Sequence, residues 1–182
     1  MYRKIRELRM VANLTETQVS NLLNISSYKY RRCEAGEINF ASETIILLSL
    51  VFQVSLDFLL RDKYSVEDVL NNSNIKSLSL KKPQDIIDEF EKNICTECPY
   101  GCIKTSYRVI KRVIQNKQEF FSKNLKKIRC DKLLEIEDIS DDLGISKELY
   151  QNIETAQCLP DVTLIIKLAN YFTISIDSLF KS

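Results

Sequence analysis

Three cysteines stand close together near the middle of the chain: Cys95, Cys98 and Cys102, in the run CTECPYGC, a C-x2-C-x3-C spacing bent around Pro99 and Gly101. Thiolates clustered in this way attract a zinc ion or an iron–sulfur cluster. A tetrahedral structural site wants four protein ligands, and the 182 residues contain no histidine, so Cys33, Cys130, Cys158 or a cysteine of a second chain would have to complete it. Cys95, Cys98 and Cys102 are therefore candidate metal ligands. Reduced structural thiols and a thiol redox sensor are the other readings of the same residues.

A different chemistry is offered by the segment SSYKYRRCE, residues 26–34. Read as a short helix with Tyr30 inward, it turns Ser27, Tyr28, Lys29, Arg31 and Arg32 outward. A face that combines hydroxyls with cationic donors can enter a DNA major groove and reach base edges or phosphates. A solvated charged face is the bland reading of the same pattern. Catalysis is not expected: there is no histidine, no phosphate-cradling glycine run, no paired carboxylates at a telling spacing, and no base placed to activate a cysteine.

The elements that position these residues follow from composition and periodicity. At 45% apolar and 28% charged the chain reads as folded, and with only 3 Gly and 3 Pro it reads as helices joined by short turns. The start, MYRKIRELRM, lacks a signal-peptide apolar region, and no apolar run is long enough to span a bilayer, so a cytoplasmic location with reduced thiols and no membrane association is expected. Net charge is only +1, which makes no global case for nucleic acid. Residues 1–63 hold nine basic against seven acidic residues, and residues 120–182 hold eight against ten, so charge favours the N-terminal end as the one that meets DNA.

The strongest pattern is a repeat. Shifted by 120 residues, Ile5, Leu8, Leu14, Val19, Leu23, Ile25, Ile45, Leu48 and Phe52 fall on Leu125, Ile128, Leu134, Ile139, Leu143, Ile145, Ile165, Leu168 and Phe172. Arg9, Ser26, Glu34 and Asp57 fall on Arg129, Ser146, Glu154 and Asp177 in the same register. Two copies of one fold is the economical reading.

Each copy parses into five short helices. In the first, a helix near residues 2–12 presents Ile5, Leu8 and Val11 inward, and Thr15 with Gln18 reads as a capping box. Ser26 caps the third helix, about 27–33, and Gly36 suits a left-handed position after it. A fourth helix carries Ile45 and Leu48 and ends near Phe52, and Ser55 caps a short fifth. A unit of roughly 60 residues has a marginal core, so packing against the other copy, the middle segment or a second chain is expected.

At this point the segments LTETQVSNLLNISSYKYRRCEAGEINFASETIILLSLVFQVSLDFLL and LLEIEDISDDLGISKELYQNIETAQCLPDVTLIIKLANYFTISIDSLF resemble the helix-turn-helix domain of the Xre/Cro/phage-repressor family. The resemblance implies an all-α chain with two lambda-repressor-like five-helix domains, 1–63 and 120–182, joined by a partly helical, cysteine-containing connector, 64–119. It implies a sequence-specific regulator of transcription, a repressor by expectation, acting as a homodimer on double-stranded DNA. It places base-reading positions on Ser27, Tyr28, Lys29 and Arg32, with Arg31 beside them, and phosphate-adjacent helix starts on Thr15, Glu16 and Ser26. It also implies an internal ion pair in each copy, Arg9 with Glu34 and Arg129 with Glu154, which is structural. Two positions depart from the family pattern: Glu16, where a carboxylate repels phosphate unless turned away, and Glu37 in the loop after the third helix.

The second copy is acidic where the first is not. Glu135, Glu137, Asp138, Asp141 and Asp142 precede its third helix. Lys147, Gln151 and Asn152 remain candidate base readers, but the acidic run favours a scaffold, a dimerisation unit or a protein-binding surface. The alternative for the whole chain is a protein-interaction or antitoxin-like module that keeps the fold without an operator of its own. In the connector, SVEDVL reads as a short helix, NNSNIKSLSLKK as loop, PQDIIDEFEKN as a helix begun by Pro83, and IKTSYRVIKRVIQNK as an amphipathic helix with Ile103, Tyr107, Ile110 and Ile114 in one stripe.

Overall fold

Hydrogen-bonding N-cap side chains open six of the described helices. The computed structural model describes residues 3–61, 73–95 and 107–181. Those residues form twelve helices: α1 (Arg3–Val11), α2 (Glu16–Leu22), α3 (Ser27–Glu34), α4 (Ser42–Phe52), α5 (Leu56–Leu60), α6 (Ser73–Leu80), α7 (Pro83–Cys95), α8 (Tyr107–Asp131), α9 (Ile136–Leu143), α10 (Lys147–Glu154), α11 (Val162–Tyr171) and α12 (Ile176–Leu179). They divide into two compact units, Met1–Arg112 and Val113–Ser182, with the division falling inside α8.

In the first unit, Gln18 N–H donates to Thr15 Oγ1 at 3.1 Å while Thr15 N–H donates to Gln18 Oε1 at 2.8 Å, the reciprocal capping box expected at α2. Ser26 and Ser55 accept from Lys29 N–H (3.2 Å) and Phe58 N–H (3.0 Å) at the starts of α3 and α5. The core gathers Ile5 and Leu8 of α1, Val19 of α2, Tyr30 and Cys33 of α3, Ile45, Leu48 and Phe52 of α4 and Leu59 of α5, all essentially inaccessible.

The middle segment supplies the missing cover. Helix α7 packs on α4, in which Ile46 and Leu47 are buried as well as Ile45 and Leu48, while Glu43 stays exposed. The polar run 71–82, expected as loop, contains α6 instead. Ile75 and Leu78, three residues apart, are buried, and α6 packs on α1. Three apolar residues among serines and lysines carry too little helical period to be read from sequence, and contact with α1 decides the conformation. The segment SVEDVL lies outside the described residues.

Helix α8 also departs from expectation. The connector and the first helix of the second unit are one helix of 25 residues, with no Gly or Pro between Tyr107 and Asp131 to interrupt it. Of the expected stripe, Ile103 lies outside the described residues, Ile110 is buried and Ile114 half-buried; Val109 and Val113 are buried beside them.

The second unit is built around Phe121 and Leu125 of α8, Ile139 of α9, Tyr150 and Ile153 of α10, Ile165 and Leu168 of α11 and Leu179 of α12. Lys167, 120 residues after Leu47, is exposed, so α11 carries a polar side where α4 carries an apolar one. Backbone corners recur at the same interval. Asn13 (φ 53), Asn24 (φ 53), Gly36 (φ 79) and Gln53 (φ 53) are followed 120 residues later by Leu133 (φ 54), Gly144 (φ 64), Ala156 (φ 56) and Thr173 (φ 57), all left-handed.

Candidate nucleic-acid interface

The third helix of the first unit is fixed from both ends. Ser26 caps its start, and at its end Gly36 N–H donates to Cys33 O (3.0 Å) and Glu37 N–H to Arg32 O (2.9 Å), a Schellman turn that needs the left-handed Gly36. Tyr30 and Cys33 point to the core, which leaves Tyr28, Arg31 and Arg32 on the opposite side.

A buried ion pair locks α1 to the end of α3. Arg9 Nε donates to Glu34 Oε1 at 2.8 Å, Nη2 to Glu34 Oε2 at 2.9 Å, and Nη1 to Leu14 O at 3.1 Å. The bidentate carboxylate raises the Arg9 pKa further. The Tyr30 hydroxyl donates to Glu34 Oε1 at 3.0 Å, and burial, reinforced by the Glu34 charge, pushes its pKa well above the usual phenol range. In the second unit Arg129 makes the same three contacts, to Glu154 Oε1 (2.7 Å), Glu154 Oε2 (3.1 Å) and Leu134 O (3.1 Å).

Among the residues expected to meet DNA, Tyr28 is 70% exposed and Lys29, Arg31 and Arg32 reach the surface beside it. The hydroxyls are engaged within the fold: Thr15 and Ser26 as caps, and Ser27 Oγ 2.8 Å from Ser20 Oγ of α2. Glu16 is turned toward guanidinium groups. It accepts from Arg31 Nε at 2.9 Å and lies 3.9 Å from Arg9 Nη2, which offsets the repulsion expected of a carboxylate at a phosphate-adjacent helix start. Arg32 Nε donates to Glu37 Oε2 at 2.8 Å, and its Cζ lies 5.7 Å from the Tyr28 ring centroid. These carboxylate partners of Arg31 and Arg32 were not foreseen. For Arg32 the signal was a Glu five residues on, across a helix-ending Gly.

The corresponding face of the second unit differs. Lys147 is paired with Glu137, Gln151 is exposed and Asn152 half-buried. Glu135, Glu137, Asp138, Asp141 and Asp142 are all exposed, and Asp142 accepts from the Tyr171 hydroxyl at 2.8 Å, raising that phenol's pKa. Leu133 and Leu149 are exposed apolar residues of the same unit.

Of the cysteines, Cys33 is buried and its thiol donates to Asn39 O at 3.6 Å; burial raises its pKa. Cys130 is exposed and Cys158 half-buried. Cys98 and Cys102 lie outside the described residues, as does the side chain of Cys95, so the expected metal cluster falls outside them too. No described helix is long and apolar enough to cross a membrane.

Comparison with known proteins locates one of these units in a family. Residues 125–179 match the helix-turn-helix family described as "Helix-turn-helix", which is less than a third of the chain. The chain is also 38% identical over 61 residues to a protein of Bacillus subtilis (strain 168) named an uncharacterized HTH-type transcriptional regulator, YqaE. The alignment covers 34% of this chain and 53% of that protein, so the chain spans about half the length of this relative. No solved structure matches the chain. Residues 125–179, comprising the end of α8 through α12, are thus a helix-turn-helix domain.

Proposed function

We propose that the chain is a sequence-specific DNA-binding regulator of transcription, acting as a repressor and as a homodimer, with the first unit reading DNA and the second serving as scaffold, dimerisation unit or protein-binding surface. The observation that carries this reading is the exposed α3 face of Tyr28, Lys29, Arg31 and Arg32. That face is held in the same Arg–Glu bracket, and between the same left-handed corners, as α10 of the matched helix-turn-helix domain. Thr15, Glu16 and Ser26 stand at the helix starts beside that face, where backbone phosphates would run. One short helix spans only a few base pairs, so specific binding calls for two half-sites and hence two chains. Repression demands least of the protein, since occupying promoter DNA suffices to exclude competitors.

The second unit favours another role. Its acidic α9 and the exposed Leu133 and Leu149 suit a protein partner better than a phosphate backbone, although Lys147, Gln151 and Asn152 retain base-reading chemistry. If that role extends to the whole chain, the protein is an interaction or antitoxin-like module without an operator.

Fluorescence anisotropy with genomic fragments, including the chain's own promoter, separates the two. The regulator reading expects a preferred fragment and loss of that preference in Arg32→Ala with the fold intact. Equal binding to all fragments at low salt would sink it in favour of the interaction module.

A further inference from the structure

Resting on the proposal that α3 reads DNA, we infer that Glu37 is a positioning residue that makes Arg32 a reader of guanine rather than a phosphate clamp. Arg32 is held through one edge of its guanidinium only. Nε donates to Glu37 Oε2, while Nη1 and Nη2 have no partner among the described residues. The Tyr28 ring lies beside Cζ, four residues back on the same helix face. A guanidinium fixed at Nε and flanked by a ring presents its two terminal nitrogens as a fork, and a fork is the donor set that fits guanine O6 and N7 in the major groove.

The backbone explains how Glu37 comes to be there. Gly36 at φ 79 folds the chain back so that Glu37 N–H bonds Arg32 O, and the Glu37 side chain leaves the turn beside the Arg32 side chain. The pair has little to do with stability, because the two side chains are 40% and 58% exposed. Its carboxylate also lowers the positive charge offered to phosphates, so the same residue sharpens base choice and weakens indiscriminate binding. In the second unit the same turn joins Gln157 N–H to Asn152 O at 2.8 Å, and the pair of side chains is uncharged. Its corner is built alike, without the guanine-reading pair.

The test uses the full-length chain. A randomised duplex pool is selected with the native protein, and the preferred duplex is then measured with each base pair replaced in turn. The expected result is a guanine at which replacement by adenine weakens binding about tenfold or more. Arg32→Lys and Glu37→Ala should each flatten that preference to within a few-fold without lowering the melting temperature. Glu37→Gln, whose amide oxygen still accepts from Nε, should keep the preference while binding all duplexes more tightly. If Glu37→Ala retains the guanine preference, or if Glu37→Ala and Glu37→Gln act alike, Glu37 is only a counter-charge and the inference is overturned. A native protein that enriches no motif would defeat the reading of α3 itself. A motif with no guanine dependent on Arg32 would defeat only the role given to Glu37.

Discussion

Arg9 and Glu34 are joined by two parallel hydrogen bonds, of 2.8 and 2.9 Å, with side chains only 13% and 5% exposed. Removing Arg9 leaves the Glu34 carboxylate nearly shut off from water, with the Tyr30 hydroxyl as donor in place of a counter-charge. Arg9→Ala should therefore destabilise the first unit by about 3–5 kcal/mol. Arg9→Lys should recover only part of that loss, because an ammonium cannot grip both carboxylate oxygens and Leu14 O in one plane. Urea unfolding followed by circular dichroism measures both; a loss below about 1 kcal/mol in Arg9→Ala would show the pair to be dispensable.

The corner after the third helix gives a test with opposite signs in the two units. A Cβ added at Gly36 meets nothing within 4 Å, so Gly36→Ala is opposed by the left-handed backbone alone, at about 1 kcal/mol. Ala156 already occupies the same conformation at φ 56, and Ala156→Gly should relieve it, stabilising the second unit by up to about 1 kcal/mol. Thermal melts of the two variants should shift in opposite directions.

Two buried tyrosines at matching positions should respond differently to losing their hydroxyls. The Tyr30 hydroxyl donates to Glu34 at 3.0 Å, whereas the Tyr150 hydroxyl, buried beside the Glu154 carboxylate that helps raise its pKa, makes no hydrogen bond of normal distance and angle. Tyr30→Phe should cost about 1.5 kcal/mol, the usual contribution of a hydrogen bond to a charged group. Tyr150→Phe should cost less, because its contact with Glu154 is poorly aligned. Equal losses in equilibrium unfolding would contradict the difference.

Cysteine reactivity should follow burial. Cys33 is 1% exposed with its thiol pKa raised by desolvation, while Cys130 is exposed. Iodoacetamide at neutral pH, followed by peptide mass spectrometry, should label Cys130 in the native protein and Cys33 only after denaturation. The folded thiol ionises at higher pH than the unfolded one. Its contribution to stability is thus fully present below the unfolded value and declines as pH rises from there toward the folded value.

The sequence carried the local signals well and the cooperative ones poorly. Thr15 with Gln18, Ser26, Ser55 and Gly36 were legible because each acts within three to five residues of itself. Helix α6 was not, because only Ile75 and Leu78 mark its buried side, its packing partner α1 lies far off in sequence, and Leu80, 87% exposed, blurs the spacing. The unbroken α8 was missed although the absence of Gly and Pro announced it. At the candidate interface the outward residues of α3 were visible from the inward Tyr30. Their carboxylate partners were not, because Glu16 reaches Arg31 from a neighbouring helix and Glu37 reaches Arg32 only through the geometry of the turn.

The recurring left-handed corners also bear on how these surfaces can change. Asn13, Gly36 and Gln53 are replaced at the same interval by Leu133, Ala156 and Thr173, residues that do not favour the conformation, yet the chain turns in the same places. Packing therefore dictates the corners, and the side chains mounted on them are free to be exchanged. The turn after the third helix behaves as a socket: Asn152→Arg together with Gln157→Glu should seat in the second unit with the geometry that Arg32 and Glu37 have in the first. The exposed side chains of this corner could then be moved along the chain without rebuilding the fold beneath them.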